Sequence, residues 1–264
     1  MKVELNEIWA YRKIISQLIL LAFKTQFRQS IIGPLWHIIQ PIASSGILVI
    51  VFKEILGTAQ NLENPFLTFF SAIVFWNVFL QTFTNSSYVL ENNRDIFSKI
   101  YFPRVIPVLA NTGITFFRFI LQLGIYFLLV IFTFSEFSFY DLTTIFIFSI
   151  FIFIHVVLIG MGAGMIFASA SIIYKDLLIA IPFLSNILFF ATPIVYNTDN
   201  ITSKIQSIIM LNPLSLPIQS AKELLAGNFV ITSEYWLSFS ASLLLFIVGL
   251  SIFNKSNRAF VDTI

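Results

Sequence analysis

The chain has no cysteine, two histidines and 13 acidic residues among its 264. The lack of cysteine removes disulfides, thiol nucleophiles and Cys-ligated zinc or iron–sulfur centres together, and leaves the redox compartment unreadable. His37 and His155 have no neighbouring carboxylate, so the sequence supplies neither a metal site nor a His-based acid/base pair. No G-x-x-x-x-G-K-[ST] run occurs, and the glycines of Gly160-Met161-Gly162-Ala163-Gly164 lack the flanking strand of a phosphate loop. The chain therefore does not read as an enzyme and carries no cofactor of its own. A net charge of +2 gives no basic surface for nucleic acid.

Charge is the scarcest feature: 11% of residues are Asp, Glu, Lys or Arg, against about 25% in soluble domains. What fills the chain instead is apolar, at 58% hydrophobic residues and a mean hydropathy of +0.90. The expected fold is an all-α integral membrane protein, one domain over 1–264, with six transmembrane helices. Stretches of roughly 20 residues free of charge place the spans at about 34–52, 66–90, 105–134, 143–173, 177–196 and 236–253. The 32 phenylalanines exceed what interfacial belts need and read as lipid-facing filler. No small-residue cleavage site follows the mostly apolar run Ile14 to Phe23, so the N-terminus is expected to be retained.

Positively charged short loops stay in the cytoplasm. Eleven of the 15 Lys and Arg residues fall on one side, in the N-terminal arm, the second-to-third loop, the fourth-to-fifth turn and the tail. Both termini are therefore expected in the cytoplasm. Lys13, Gln17, Lys24 and Arg28 share about 60° of a helical wheel, opposite Ile15, Leu18, Ile19 and Ala22. That pattern predicts an interfacial amphipathic helix whose basic face meets lipid headgroups.

Two connecting segments are too patterned for plain loops. After the second span, Asn92 or Asn93 can cap a short helix that Pro103 stops. Ile96, Phe97 and Ile100 form its apolar edge, while Arg94, Asp95 and Lys99 stay polar. Between the fifth and sixth spans, Ile205 to Leu211 and Leu214 to Ala226 are too apolar for free loops and too short to cross. They predict re-entrant or surface-lying half-helices, with a small folded outer cap as the alternative.

Inside the spans no Asp or Glu is expected, which weighs against a proton- or sodium-coupled carrier. Arg118 and His155 are the ionisable exceptions, read either as contacts to an anionic substrate group or as interhelical hydrogen-bonding groups. Gly160, Gly164 and Ala168 form a small-residue seam for close helix packing. Asn77, Gln81 and Asn85 make a polar stripe on the second span, serving either a polar pathway or bonds between helices.

Several ordered pieces resemble one family. The basic arm ends in Phe27-Arg28 and leads to Gly33-Pro34-Leu35-Trp36, followed by Gln40-Pro41. Lys99-Ile100-Tyr101-Phe102-Pro103-Arg104 follows the second span, and Tyr174-Lys175-Asp176 the fourth. Ala191-Thr192-Pro193-Ile194-Val195-Tyr196 and Leu211-Asn212-Pro213-Leu214 complete the set. The chain is similar to the membrane subunit of ABC-2-type exporters, specifically the polysaccharide, O-antigen and teichoic acid export permeases.

The resemblance implies a homodimer in the cytoplasmic membrane, docked on two copies of a separate subunit that binds ATP and Mg. The family's coupling helix would fall on Asn93 to Tyr101, with a second contact at Tyr174, Lys175 and Asp176. The family commonly has arginine where Lys175 stands, so a contact needing a bidentate fork would be weaker here. The implied cargo is a lipid-linked glycan, which needs aromatic platforms and neutral polar groups along its path. Trp36, His37, Gln40, Ser44 and Ser45 near the first span could supply these, as could the stripe Asn77, Gln81 and Asn85. Trp36 serves equally as an interfacial anchor. Two rivals share the sequence: an ABC-2 permease for small lipids or drugs, and a membrane-embedded glycosyl- or acyltransferase.

Overall fold

The computed structural model describes residues 9–27, 32–60, 62–97, 102–133, 139–196, 202–224 and 232–261. Among them are helices and turns and no strand. Nine helices longer than two turns are labelled in chain order: α1 (Arg12–Phe27), α2 (Trp36–Ile55), α3 (Pro65–Ser87), α4 (Val105–Thr133), α5 (Phe139–Ala170), α6 (Asp176–Ala191), α7 (Ser203–Met210), α8 (Ser215–Glu223) and α9 (Ser233–Val261). The last six residues of α2, Ile50–Ile55, wind as π-helix.

Five of these, α2, α3, α4, α5 and α9, are long and apolar enough to cross a membrane. The sixth expected span differs. Helix α6 has 16 residues, about 24 Å at 1.5 Å per residue, against a hydrocarbon core of about 30 Å. Its end has a local cause. Thr192 precedes Pro193, whose ring disfavours the helical region for the residue before it, and Thr192 is extended at φ −103° and ψ 140°. The acidic residues of the long helices sit only in terminal turns: Glu54, Asp141, Asp176 and Glu234.

Helix α3 is the hub. Helices α2, α4, α5, α6 and α8 all pack on it, and its side chains are buried except Phe66, Asn77, Leu80, Gln81, Thr84 and Asn85. Phenylalanine fills this interior as well as facing lipid. Phe69, Phe70, Phe75, Phe79 and Phe83 are all buried, with Phe75 on Phe119 at 5.4 Å and Phe83 edge-on to Phe167 at 5.3 Å. Such pairs add about 0.5–1.5 kcal/mol beyond the area they bury.

The glycine run on α5 is the packing seam its spacing predicts. A Cβ on Gly160 would lie 2.9 Å from Thr82 Cβ of α3, and one on Gly162 would lie 2.8 Å from the α9 backbone at Leu245. Gly249 of α9 meets Gly162 backbone to backbone. The run thus lets α5 approach one neighbour on each side, where the driving force inside a membrane is close packing.

Helix α1 docks on protein. Ile19 lies against Gly113 of α4, and Phe23 meets Phe117 edge-on at 4.7 Å. Lys13, Gln17 and Lys24 are exposed, while Ile15, Leu18, Ile19 and Ala22 are half-buried. Arg28 lies outside the described residues.

Gly164→Val would put a Cβ 2.5 Å from Ser86 Cβ and 2.8 Å from the Phe83 carbonyl. It should cost about 1–3 kcal/mol by overpacking, seen as a lowered thermal midpoint in detergent. Gly124→Val, with nothing within 4 Å, should leave the midpoint in place.

Candidate functional site

At the C-terminal end of α3 the helix breaks at Tyr88 and continues as single turns, Val89–Asn92 and Arg94–Phe97. Asn93 organises the join, though by a different bond from the predicted cap. Its side-chain Nδ2 donates backward to the Val89 carbonyl at 2.8 Å, while its own carbonyl accepts from the N–H groups of Ile96 and Phe97. Asp95 and Ile96 are exposed, and Arg94 is half-buried. Phe97 departs from the predicted outward edge. Its ring packs on Phe102 at 5.2 Å and under the Arg104 guanidinium at 5.7 Å, which turns it to the body and leaves Ile96 as the apolar group facing out. Lys99, Ile100 and Tyr101 lie outside the described residues.

Tyr174, Lys175 and Asp176 are exposed in the turn before α6. Asp176 occupies the first turn of α6, where a negative charge suits the helix dipole. The two segments lie at the same end of the bundle, because Tyr88 donates its hydroxyl to the Leu178 carbonyl at 2.6 Å. Nothing in the spacing of residues marks Tyr88. The signal that could have found it is Pro182, four residues after Leu178, which has no N–H to give that carbonyl.

The polar candidates separate into two groups. Asn77, Gln81 and Asn85 all lie, with Leu80 and Thr84, on a half-buried stripe of otherwise buried α3. Gln81 Oε1 accepts from Arg118 Nη1 of α4 at 2.6 Å. One turn along α4, Gln122 donates Nε2 to the His37 carbonyl of α2 at 2.9 Å. Helices α2, α3 and α4 are thus joined through polar groups, with Gln122 absent from the sequence reading. Trp36 is 59% exposed and Gln40 is exposed, both turned away from the body. Ser45 is buried and bonds its own helix at Pro41. His155 is fully buried among Tyr235 and Phe239 rings, with Ser238 Oγ 3.5 Å from Nε2.

At the opposite end two of the quoted motifs meet. Asn212 Nδ2 donates to Thr192 Oγ1 at 2.9 Å. Buried Lys222 of α8 donates Nζ to the carbonyls of Pro193 at 3.0 Å and Tyr196 at 2.8 Å. Helix α8 is inserted among α3, α5 and α9 through Leu214, Ile218, Ala221 and Leu224, whereas α7 has no buried residue. Among the described residues no group of three or more His, Cys, Asp or Glu side chains could hold a metal ion.

These features define an integral membrane protein with a protruding turn at one end and a polar stripe within the bundle. The family model described as ABC-2 type transporter matches residues 15–226, and the chain belongs to that family. It is a transport subunit, working in an ABC transporter with a separate ATP-binding partner. An O-antigen export system permease protein, RfbA, of Klebsiella pneumoniae is 29% identical over 246 residues, 90% of each chain. RfbA of Myxococcus xanthus is 22% identical over 267 residues, 98% of each. The polysialic acid transport protein KpsM of Escherichia coli is 21% identical over 253 residues, 94% of this chain and 95% of the other.

Gln81→Leu removes the acceptor of a charge-assisted bond, so it should destabilise by about 1.5–3 kcal/mol, while Gln81→Glu keeps an acceptor for Arg118. Thermal unfolding of both variants in detergent checks this, and equal midpoints for Gln81→Leu and wild type would contradict it.

Proposed function

We propose that this chain exports a lipid-linked polysaccharide outward across the cytoplasmic membrane, as one of two copies driven by ATP and Mg bound on the partner subunit. The observation that carries the reading is the face of α3. A helix buried on nearly every side leaves half-buried the stripe of Asn77, Leu80, Gln81, Thr84 and Asn85, four of them polar. Polar groups do not face hydrocarbon without cost, so such a stripe belongs to a water-filled path or a protein interface. Neutral amides suit a sugar chain that must slide, since they hydrogen-bond hydroxyls without fixing a charge. The relatives named for O-antigen export and polysialic acid transport support polysaccharide as the cargo.

The remaining parts fall into place around that path. Trp36 and Gln40, exposed on α2, line it from the other side in a dimer, with His37 behind them. The exposed turn at Asn93 to Phe97, continuing to Tyr101, and the Tyr174 to Asp176 turn receive the ATP-binding subunit in the cytoplasm. Lys13, Lys24 and Arg28 meet the inner headgroups. Helix α6 makes the sixth crossing together with Thr192–Tyr196, and re-entrant α8 fills the outer depth that α6 leaves. Both termini are then cytoplasmic, in keeping with the lysine and arginine distribution.

Ile96→Asp puts charge on the outward apolar group, so co-purification of the ATP-binding subunit should fall about tenfold or more, as a loss of about 1.4 kcal/mol gives, with the thermal midpoint unchanged. Phe97→Asp should lower the midpoint too, because it strips Phe102 and Arg104 of their partner. Normal co-purification with Ile96→Asp would remove the docking assignment. Trp36→Ala should slow glycan appearance at the cell surface while ATP hydrolysis continues, and unchanged export would return Trp36 to the role of membrane anchor.

A further inference from the structure

Two of the peripheral helices are interrupted by proline, and each interruption is repaired from a neighbouring helix. Pro41 in α2 and Pro182 in α6 lack the N–H that would bond the carbonyl four residues earlier. Those carbonyls belong to His37 and Leu178. The first accepts from Gln122 Nε2 and the second from the Tyr88 hydroxyl. Both donors come from the interior scaffold, so each proline turns a backbone bond within one helix into a side-chain bond between two.

The Tyr88 bond is placed where force enters. Tyr88 is the residue at which α3 gives way to the turns ending at Phe97, and Val89 and Leu90 beside it are buried. The carbonyl it holds lies in the first turn of α6, directly after the exposed Tyr174 to Asp176 turn. Between its two ends α6 is loosely held. Ile181 and Ser185 are its buried residues, Phe189 touches Trp76 at 5.4 Å, and Ile179, Phe183, Ile187 and Phe190 form an exposed stripe. A phenol has two side-chain torsions and a stiff ring, so displacement of residue 88 is carried to residue 178 with little slack. Pro182 offers the Leu178 carbonyl no helical N–H, so the Tyr88 hydroxyl takes that place.

We propose that Tyr88 is a positioning residue that drags α6 with the docking turn when the ATP-binding partner moves it. The proposal rests on the docking reading above but not on the identity of the cargo.

The absence of cysteine makes a direct test available. Single cysteines replacing Phe190 of α6 and Leu244 of α9, both exposed, carry spin labels in the full complex with its ATP-binding partner. The distance between them is measured without nucleotide and with ATP trapped. Wild type should show an ATP-dependent change, and Tyr88→Phe should reduce it at least twofold while ATP hydrolysis persists. Adding Pro182→Ala gives the Leu178 carbonyl its own helical N–H. In the double variant thermal stability should return but the movement should not. Full movement in Tyr88→Phe, movement recovered in the double variant, or no movement in wild type each overturns the proposal. Should Tyr88→Phe alone fail to assemble, the double variant decides by the same criterion. Wild type that moves with ATP but exports no glycan would count against the cargo and leave the link standing.

Discussion

Water hides many sins in a soluble protein, because a carbonyl that loses its helical partner can bond to solvent. In hydrocarbon that escape is closed, and each orphaned backbone group costs several kcal/mol. The arrangement of this bundle follows from that constraint. Pro41 and Pro182 each free a carbonyl inside a helix, and each carbonyl finds a side-chain donor from outside that helix: Gln122 for His37 and Tyr88 for Leu178. Proline here specifies which helices must touch, and at what height.

The same constraint explains how the hydroxyls are used. Thr82 bonds the Val78 carbonyl, Ser87 the Phe83 carbonyl, Ser169 the Met165 carbonyl and Ser185 the Ile181 carbonyl, all four residues back along their own helix. These groups satisfy themselves within their own helix, and Thr82 and Ser87 lie where Gly160 and Gly164 of α5 come close. Amides cannot do this as readily, and so Asn77, Gln81 and Asn85 remain on the half-buried stripe of α3, where Gln81 takes the one guanidinium of the neighbouring α4. The division between hydroxyls that disappear into helices and amides that stay available turns a uniformly apolar bundle into one with a polar side.

The sequence carried the features that depend on composition along one helix: five long apolar helices, and the small-residue seam of Gly160 and Gly164. It was silent where two distant residues settle a matter jointly. Tyr88 and Pro182 are far apart in the chain, and a tyrosine at a helix end reads equally as an interfacial anchor. Phe97 looked outward because Ile96, Phe97 and Ile100 share a helical edge, but Phe102 and Arg104, just beyond the turn, claim its ring. The short α6 was within reach: Thr192 before Pro193 is a local stop signal, masked in a hydropathy reading by the apolar Ile194-Val195 that follows. Lys222 is a charged residue in the segment between the fifth and sixth expected spans. Its burial could not be read from sequence, since what it answers is a pair of carbonyls that only the stop at Pro193 exposes.

That stop has a consequence for transport. Because α6 ends early, its last carbonyls and the turn after it lie against α8, held by Asn212 and Lys222, while its first turn is held by Tyr88 beside the docking residues. One short helix therefore has its two ends fastened to the two ends of the molecule. A longer helix would project past the bundle and lose its second attachment. Under the docking and Tyr88 link proposed above, a push at the Asn93 to Phe97 turn would reach α8 through this strut without α3, glycine-packed and buried, having to deform.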